Sequence, residues 1–159
     1  MSADGLPAKV LTVSDGVIAG TRTDTSGAAL AELLVRHGFE VADRRVVADG
    51  ADSVAAALVE LCEGFSGLVV STGGTGFAPR DETPEGTLRV LERSAPGIAE
   101  AMRLVNPLGR LSRGVAGIRG RAVIVNTPGS PKGCVEQLSA VIDVLPHALR
   151  LLADEPTPH

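Results

Sequence analysis

The 159-residue chain contains no tryptophan and no tyrosine, and only three phenylalanines. Its core must therefore be aliphatic, and it lacks the aromatic platforms on which single-stranded nucleic acid stacks. Basic residues are short as well: fifteen Lys and Arg stand against nineteen Asp and Glu, for a net charge of −4. A binder of phosphate backbones carries the opposite sign, so nucleic acid is not an expected partner. Cysteine is scarce. Cys62 and Cys134 lie far apart, with no C-x-x-C pair or Cys/His cluster, and a zinc site is not expected. Two small buried hydrophobes in a reducing compartment is the simpler reading. No stretch approaches the ~18 apolar residues of a membrane helix. The opening MSADGLPAKV carries Asp4 and no apolar run, unlike a signal peptide. These absences point to a soluble, cytoplasmic protein with no membrane partner.

What is present suits one domain. The length and the 44% hydrophobic content predict a single domain over residues 1–159, its core at about 8–152 between flexible ends. A chain of this size buries about 68–70% of its unfolded surface and needs no disulfide or metal staple. KVLTVS (Lys9–Ser14) predicts a first strand, followed by the polar loop DGVIAGTRTD. A helix is predicted from Ser26, as N-cap, to His37, with Leu30, Leu33 and Leu34 at helical spacing and Gly38 at its left-handed end. EVADRRVV is a more polar strand, expected near a sheet edge. Ala51–Glu63 predicts a helix with Val54, Ala55, Leu58, Leu61 and Cys62 on one face.

GLVVST is apolar enough to be covered on both sides, as parallel sheets require. Thr83-Pro84 reads as N-cap and first residue of the next helix. GIAEAMRLVNP predicts another helix ending at Asn106-Pro107, with Ile98, Met102 and Val105 on one face. RAVIVN is a fourth strand, and Ser130-Pro131 opens a helix carrying Val135, Leu138, Ile142 and Leu145 in register. The tail ADEPTPH is expected to fray. Alternating strands and helices predict a three-layer α/β/α fold with a mostly parallel sheet. Ligands of such sheets lie outside the carboxyl ends of the strands. Three Gly/Pro-containing polar loops should meet there: Ser14–Asp24, Thr72–Thr83 and Asn126–Lys132.

Glycines between a strand and a helix let backbone approach a ligand, and the helix start offers unpaired N–H groups. TGGTG before Thr83-Pro84 fits an anion cradle, and NTPGSP before Ser130-Pro131 fits it again. Two cradles on one edge suit a ligand with several phosphates, or two phosphorylated ligands. The alternative is a pair of tight turns that only connect elements. No P-loop G-x-x-x-x-G-K-[ST] is present. The dinucleotide pattern G-x-G-x-x-G stops halfway, since Gly74-Thr75-Gly76-Phe77-Ala78 leads to Pro79.

Acids beside a phosphate cradle are unfavourable unless a divalent cation lies between, and Mg²⁺ takes one or two carboxylates plus phosphate oxygens. Asp81 is therefore a candidate metal ligand, and Asp49 in VVADG could share that role. Local sequence alone favours Asp49 as a turn residue or helix cap. Glu82 and Glu85 read more simply as acids that complement a helix N-terminus. His37 and His147 read as residues at helix ends or breaks. Ser14 and Ser71 are not nucleophile candidates, because no G-x-S-x-G elbow or adjacent base appears. Arg110, Arg113, Arg119 and Arg121 form a basic run that reads as a solvated connection, a phosphate contact or a subunit interface.

Three segments together carry a resemblance: VSDGVIAGTRTDTSG (Val13–Gly27), TGGTGFAPRDETPE (Thr72–Glu85) and LSRGVAGIRGRAVIVNTPGSPKG (Leu111–Gly133). They resemble the MogA/MoaB family of molybdopterin adenylyltransferases, whose domain type also occurs in gephyrin-like proteins, and the likeness runs from about Lys9 to Leu149. The resemblance implies an Mg²⁺-dependent reaction in molybdenum cofactor biosynthesis. In it, the terminal phosphate of molybdopterin attacks the α-phosphate of ATP, giving adenylylated molybdopterin and pyrophosphate.

Carried onto this chain, the resemblance implies that Asp81 and Asp49 are the catalytic, metal-linked acids. Ser71, Thr72, Gly73, Gly74, Thr75 and Gly76 would line the pterin and phosphate pocket. Ser14, Asp15, Asp24, Ser26 and Gly27 match the first loop, and Asn126, Pro128, Gly129, Ser130 and Lys132 match the closing turn. One position departs: Glu82 stands where the family is usually apolar. The resemblance also implies a homotrimer, or a hexamer of trimers, and transient contact with the molybdenum-insertion enzyme. The alternative function is a non-catalytic molybdopterin-binding or assembly relative. The insertion enzyme itself fits less well, since its first loop is of G-D-E type and this one reads Ser14-Asp15-Gly16.

Overall fold

The computed structural model describes residues 2–157. Its first half runs β1 (Pro7–Val13), a short α1 (Asp15–Ile18), α2 (Thr25–Arg36), β2 (Glu40–Val47), α3 (Ala51–Cys62) and β3 (Gly67–Thr72). There follow α4 (Thr83–Val90), β4 (Arg93–Ser94), α5 (Pro96–Arg103) and a 3-10 turn at Pro107–Leu111. The chain then forms β5 (Ala116–Arg119), β6 (Ala122–Thr127), α6 (Pro131–Ser139) and α7 (Leu145–Leu152). The strands make one sheet in the order β2-β1-β3-β6-β5-β4. β2, β1, β3 and β6 are parallel; β5 and β4 add on antiparallel. This is the expected mostly parallel α/β architecture, with the polar β2 at the edge.

Strand periodicity sends successive side chains to opposite faces, and the core divides accordingly. Val10, Leu68, Val70, Val123 and Val125 pack with Leu30, Leu34, Met102, Cys134, Leu138 and Leu145 from α2, α5, α6 and α7. Leu11, Val13, Val69 and Ile124 pack on the other face with Val54, Leu58, Leu61 and Val90 from α3 and α4. All six residues of β3 are buried, which is why its sequence shows no alternation.

Several boundaries differ from the sequence expectations. The cap of α2 is Asp24, whose carboxylate accepts from Gly27 N, and Ser26 sits buried in the first turn. Thr83 is the first helical residue of α4 rather than its cap, and Glu82 holds the cap position without a capping bond to its own helix. The helix expected to reach Asn106-Pro107 ends at Arg103. Leu104 and Val105 are exposed, while Asn106 caps the 3-10 turn by accepting from Gly109 N. The last predicted helix is two, α6 and α7, separated after Ser139. β5 and its turn to β6 at Gly120 (φ +58°) lie inside the basic run. Of the tail expected to fray, residues 158–159 lie outside the described residues.

Candidate active site

The order β2-β1-β3 means the chain leaves β1 to one side for β2 and returns to its other side for β3. Such a switch point opens a crevice at the strand carboxyl ends. A cleft of about 1080 Å³ lies there, walled by the loops after β1, β3 and β6. Of the residues singled out in the sequence, Ser14, Asp24, Ser26, Asp49, Thr72 and Gly73 line it, with Gly74, Thr75, Gly76 and Asp81. Pro128, Gly129, Ser130 and Lys132 close the far side. Asp15, Gly27, Ser71 and Asn126 do not line the cleft.

Gly27, Ser71 and Asn126 work behind the surface, while Asp15 is half-exposed beside the cleft. Gly27 N donates to Asp24 Oδ1 at 2.9 Å, and a side chain on Gly27 would strike that carboxylate. Asp24 also accepts from Thr12 Oγ1 at 2.9 Å and pairs with Arg44 at 3.3 Å. Buried Asn126 donates to Ser71 Oγ at 2.9 Å and Thr87 Oγ1 at 3.1 Å, and accepts from Val115 N at 3.1 Å. This satisfied network joins β3, β6 and α4 beneath the cleft floor, where an unpaired polar group would be costly. Above it, Thr72 Oγ1 donates to Pro128 O at 2.7 Å and Ser26 Oγ to Gly129 O, fastening the closing turn.

The glycine loop is a close-approach device. Gly73 and Gly74 take φ of +101° and +69°, and a Cβ on Gly73 would overlap the Val13 carbonyl oxygen. A Cβ on Gly74 would collide with Thr83 Oγ1 and lie 3.3 Å from Asp49 Oδ1; one on Gly76 would lie 3.0 Å from Asp81 Oδ2. The bare backbone is thus flanked by the two carboxylates. Asp81 Oδ2 accepts from Ala78 N at 3.1 Å. Asp49 Oδ2 accepts from Asp15 N at 3.0 Å. Partial burial lifts the Asp49 carboxyl above the usual aspartate value, and the charges of Asp15 and Asp81 push the same way against the Asp15 hydrogen bond. Asp15 is held low, first by the side-chain bond from Arg80.

Among the described residues, no group of three or more His, Cys, Asp or Glu gathers to hold a metal ion. Two carboxylates flanking the glycine loop fit Mg²⁺ when a ligand supplies phosphate oxygens, the donor set that this ion favours. Glu82 does not join them: its Oε2 accepts from Ala51 N at 3.2 Å and caps α3, whose own cap position is Gly50.

Two arginines shape the site without a sequence signal that assigned them this role. Arg80 donates from Nε to Asp15 Oδ2 at 2.6 Å and from Nη2 to Asp49 O at 3.0 Å. Arg113 donates to Gly76 O at 2.8 Å and Asp81 O at 2.6 Å, and pairs with Glu85 at 2.7 Å. Arg110 donates to Pro107 O and Arg119 to Val90 O. None of the four arginines of the basic run lines the cleft. The 3-10 segment, with Asn106, Leu108 and Leu111, forms a wall that composition did not mark, and α6 contributes Glu136 and Gln137 opposite.

A family model described as "Probable molybdopterin binding domain" matches residues 9–147. The chain is 39% identical over 150 residues to the molybdopterin adenylyltransferase of Helicobacter pylori strain J99, covering 90% of this chain and 85% of that protein. It is 39% identical over 142 residues to the molybdopterin adenylyltransferase of Escherichia coli K12, covering 84% of this chain and 72% of that one. Among solved structures, the molybdopterin biosynthesis enzyme MoaB of Thermus thermophilus superposes with a TM-score of 0.88 at 48% identity. That match covers 95% of this chain and 98% of the other.

Proposed function

The chain belongs to the molybdopterin-binding family of molybdenum cofactor biosynthesis, and on that premise we propose that it transfers AMP from ATP to the terminal phosphate of molybdopterin. It is an enzyme of the adenylyltransferase type. The observation that carries the finer reading is the bare Gly73–Gly76 backbone set between Asp49 and Asp81 in one cleft.

The residues divide the work by their chemistry. Gly73, Gly74 and Gly76 let the backbone come against phosphate oxygens, and Ser130 turns the start of α6 toward the same cleft, accepting from Gly133 N at 2.9 Å. Lys132, at the cleft rim with its ammonium 3.8 Å from Glu136, offers a positive charge to the departing pyrophosphate. Asp49 and Asp81 would hold Mg²⁺, which when bound neutralises charge on the reacting phosphates. Arg80 and Arg113 keep those two acids in place through the contacts described above. Catalysis by this chain is then mainly positioning and charge complementarity.

The direct test incubates the protein with molybdopterin, ATP and Mg²⁺. Pyrophosphate release together with adenylylated molybdopterin is the expected result. Molybdopterin binding without release of pyrophosphate would instead mark a non-catalytic binding module. The same reading carries a cytoplasmic setting, a homotrimer or a hexamer of trimers, and hand-over of product to a molybdenum-insertion enzyme. Exposed Phe77 and Leu104, which do not line the cleft, support burial of surface in an assembly, which mass measurement in solution tests.

A further inference from the structure

Gln137 is 4% exposed and lines the cleft, and its carboxamide, facing the open space, makes no hydrogen bond to any described residue. Asn126, the structural amide beneath the cleft floor, shows the satisfied state with three partners. Gln137 holds the same chemical group without a protein partner, its polar atoms open to a ligand-sized space.

Its surroundings define what it could take. Helical side chains lean back over the preceding turn, and the turn before Gln137 holds Gly133, which has no side chain to cover. Glu136 Oε2 accepts from Asn106 Nδ2 at 2.7 Å, tying α6 to the start of the 3-10 wall. Leu108 and Leu111 present exposed apolar surface to the same cleft. A neutral amide, one donor beside one acceptor, near aliphatic surface is suited to the edge of a flat heteroaromatic ring. It is poorly suited to a phosphate, which the glycine loop already serves.

We infer that Gln137 is a recognition residue whose carboxamide pairs with an adjacent donor–acceptor edge of a heteroaromatic ring lying between α6 and the 3-10 wall. The inference rests on the reading that the cleft takes a nucleotide and a pterin. Both carry such an edge, and separate binding measurements distinguish them.

The test compares the parent with Gln137→Met and Gln137→Leu by calorimetric titration of Mg-ATP and, separately, of 6-carboxypterin, alongside thermal melts of the unliganded proteins. Expected is a loss of about tenfold in affinity for one probe, the net scale of one neutral hydrogen bond, with the other unchanged. The unliganded variants should melt close to the parent, since the carboxamide has no protein partner to lose. Unchanged affinity for both probes, equal weakening of both, or a lowered melting point in both variants overturns the inference. Gln137-dependent binding in a parent that transfers no AMP leaves the inference standing and removes the proposed activity instead.

Discussion

Asp15 and Asp49 are joined by reciprocal hydrogen bonds, the backbone N–H of each donating to the other's carboxylate at 3.0 and 3.1 Å. Arg80 grips the pair, reaching both Asp15 oxygens and the Asp49 carbonyl. The segments that follow β1, β2 and β3 are thereby fastened at one point. Asp15 does not line the cleft, so its effect on chemistry runs through the position of Asp49. Asp15→Ala should lower AMP transfer about 10–100-fold, the usual scale for loss of a partner that orients a metal-binding acid. Asp15→Asn keeps an acceptor for Asp49 N and should retain more activity. Steady-state rates decide it, and an Asp15→Ala enzyme at parental speed would remove the positioning role.

Asp81 offers a cleaner separation of charge from structure. Its carbonyl is held by Arg113 and its Oδ2 by Ala78 N, so asparagine preserves shape and an acceptor while losing the negative charge. Asp81→Asn should keep the parental melting point and lose about 10²–10³-fold in pyrophosphate release, as for removal of one electrostatic group from a transition state. Asp49→Asn is expected to behave alike. A fully active Asp81→Asn protein would refute the metal assignment.

The fold was legible in the sequence where one physical signal dominated. GLVVST is buried on both faces and could only be an inner parallel strand. The short β4 and β5 were missed because two and four residues give too little periodicity to read. The glycine loop and Asp81 were legible because bare backbone followed by an acid suggests a cation-assisted phosphate site. Arg80, Glu82 and Arg113 were not, because their roles come from partners 28 to 65 residues away in the chain. Glu82 does complement a helix N-terminus, but that of α3 through the Ala51 amide rather than that of the helix which follows it.

The left-handed glycines set a stability limit on this loop. Alanine at Gly73 would be strained in φ and would overlap the Val13 carbonyl. Gly73→Ala should lose about 2–3 kcal/mol, combining a forbidden backbone region with a clash that β1 cannot relieve. Gly20, at φ +76° with open space around it, supplies the control: Gly20→Ala should lose only the backbone component, about 1 kcal/mol. Urea unfolding measures both, and equal losses would show that the Val13 contact contributes nothing.

Burial pushes the thiols of Cys62 and Cys134 up to about 11. At pH 8 only about one in a thousand of each would be thiolate, the reactive form. Iodoacetamide should therefore modify the native protein far more slowly than the urea-unfolded chain, with mass spectrometry counting adducts. Rapid native labelling of Cys134, which is fully buried, would contradict its place against the Ser26 carbonyl.

Acid should weaken the fold through two specific ion pairs. Arg80 holds Asp15 below its usual 3.8, and Arg113 holds Glu85 below its usual 4.5. A carboxyl lowered by folding contributes its full stabilisation above the unfolded value, and loses it as pH falls through the lower folded value. Asp49 is raised, so its unfavourable contribution at neutral pH is instead relieved by acidification. Both pairs are solvent-exposed, which limits each to a small effect. The parental urea midpoint should thus drop between about pH 4.5 and 2, and Arg80→Gln should make that drop shallower by leaving Asp15 closer to its unfolded value. Combining Arg80→Gln with Glu85→Gln should flatten it further, since the two pairs share no partner. Identical acid limbs in the parent and the double variant would mean that neither pair persists in solution.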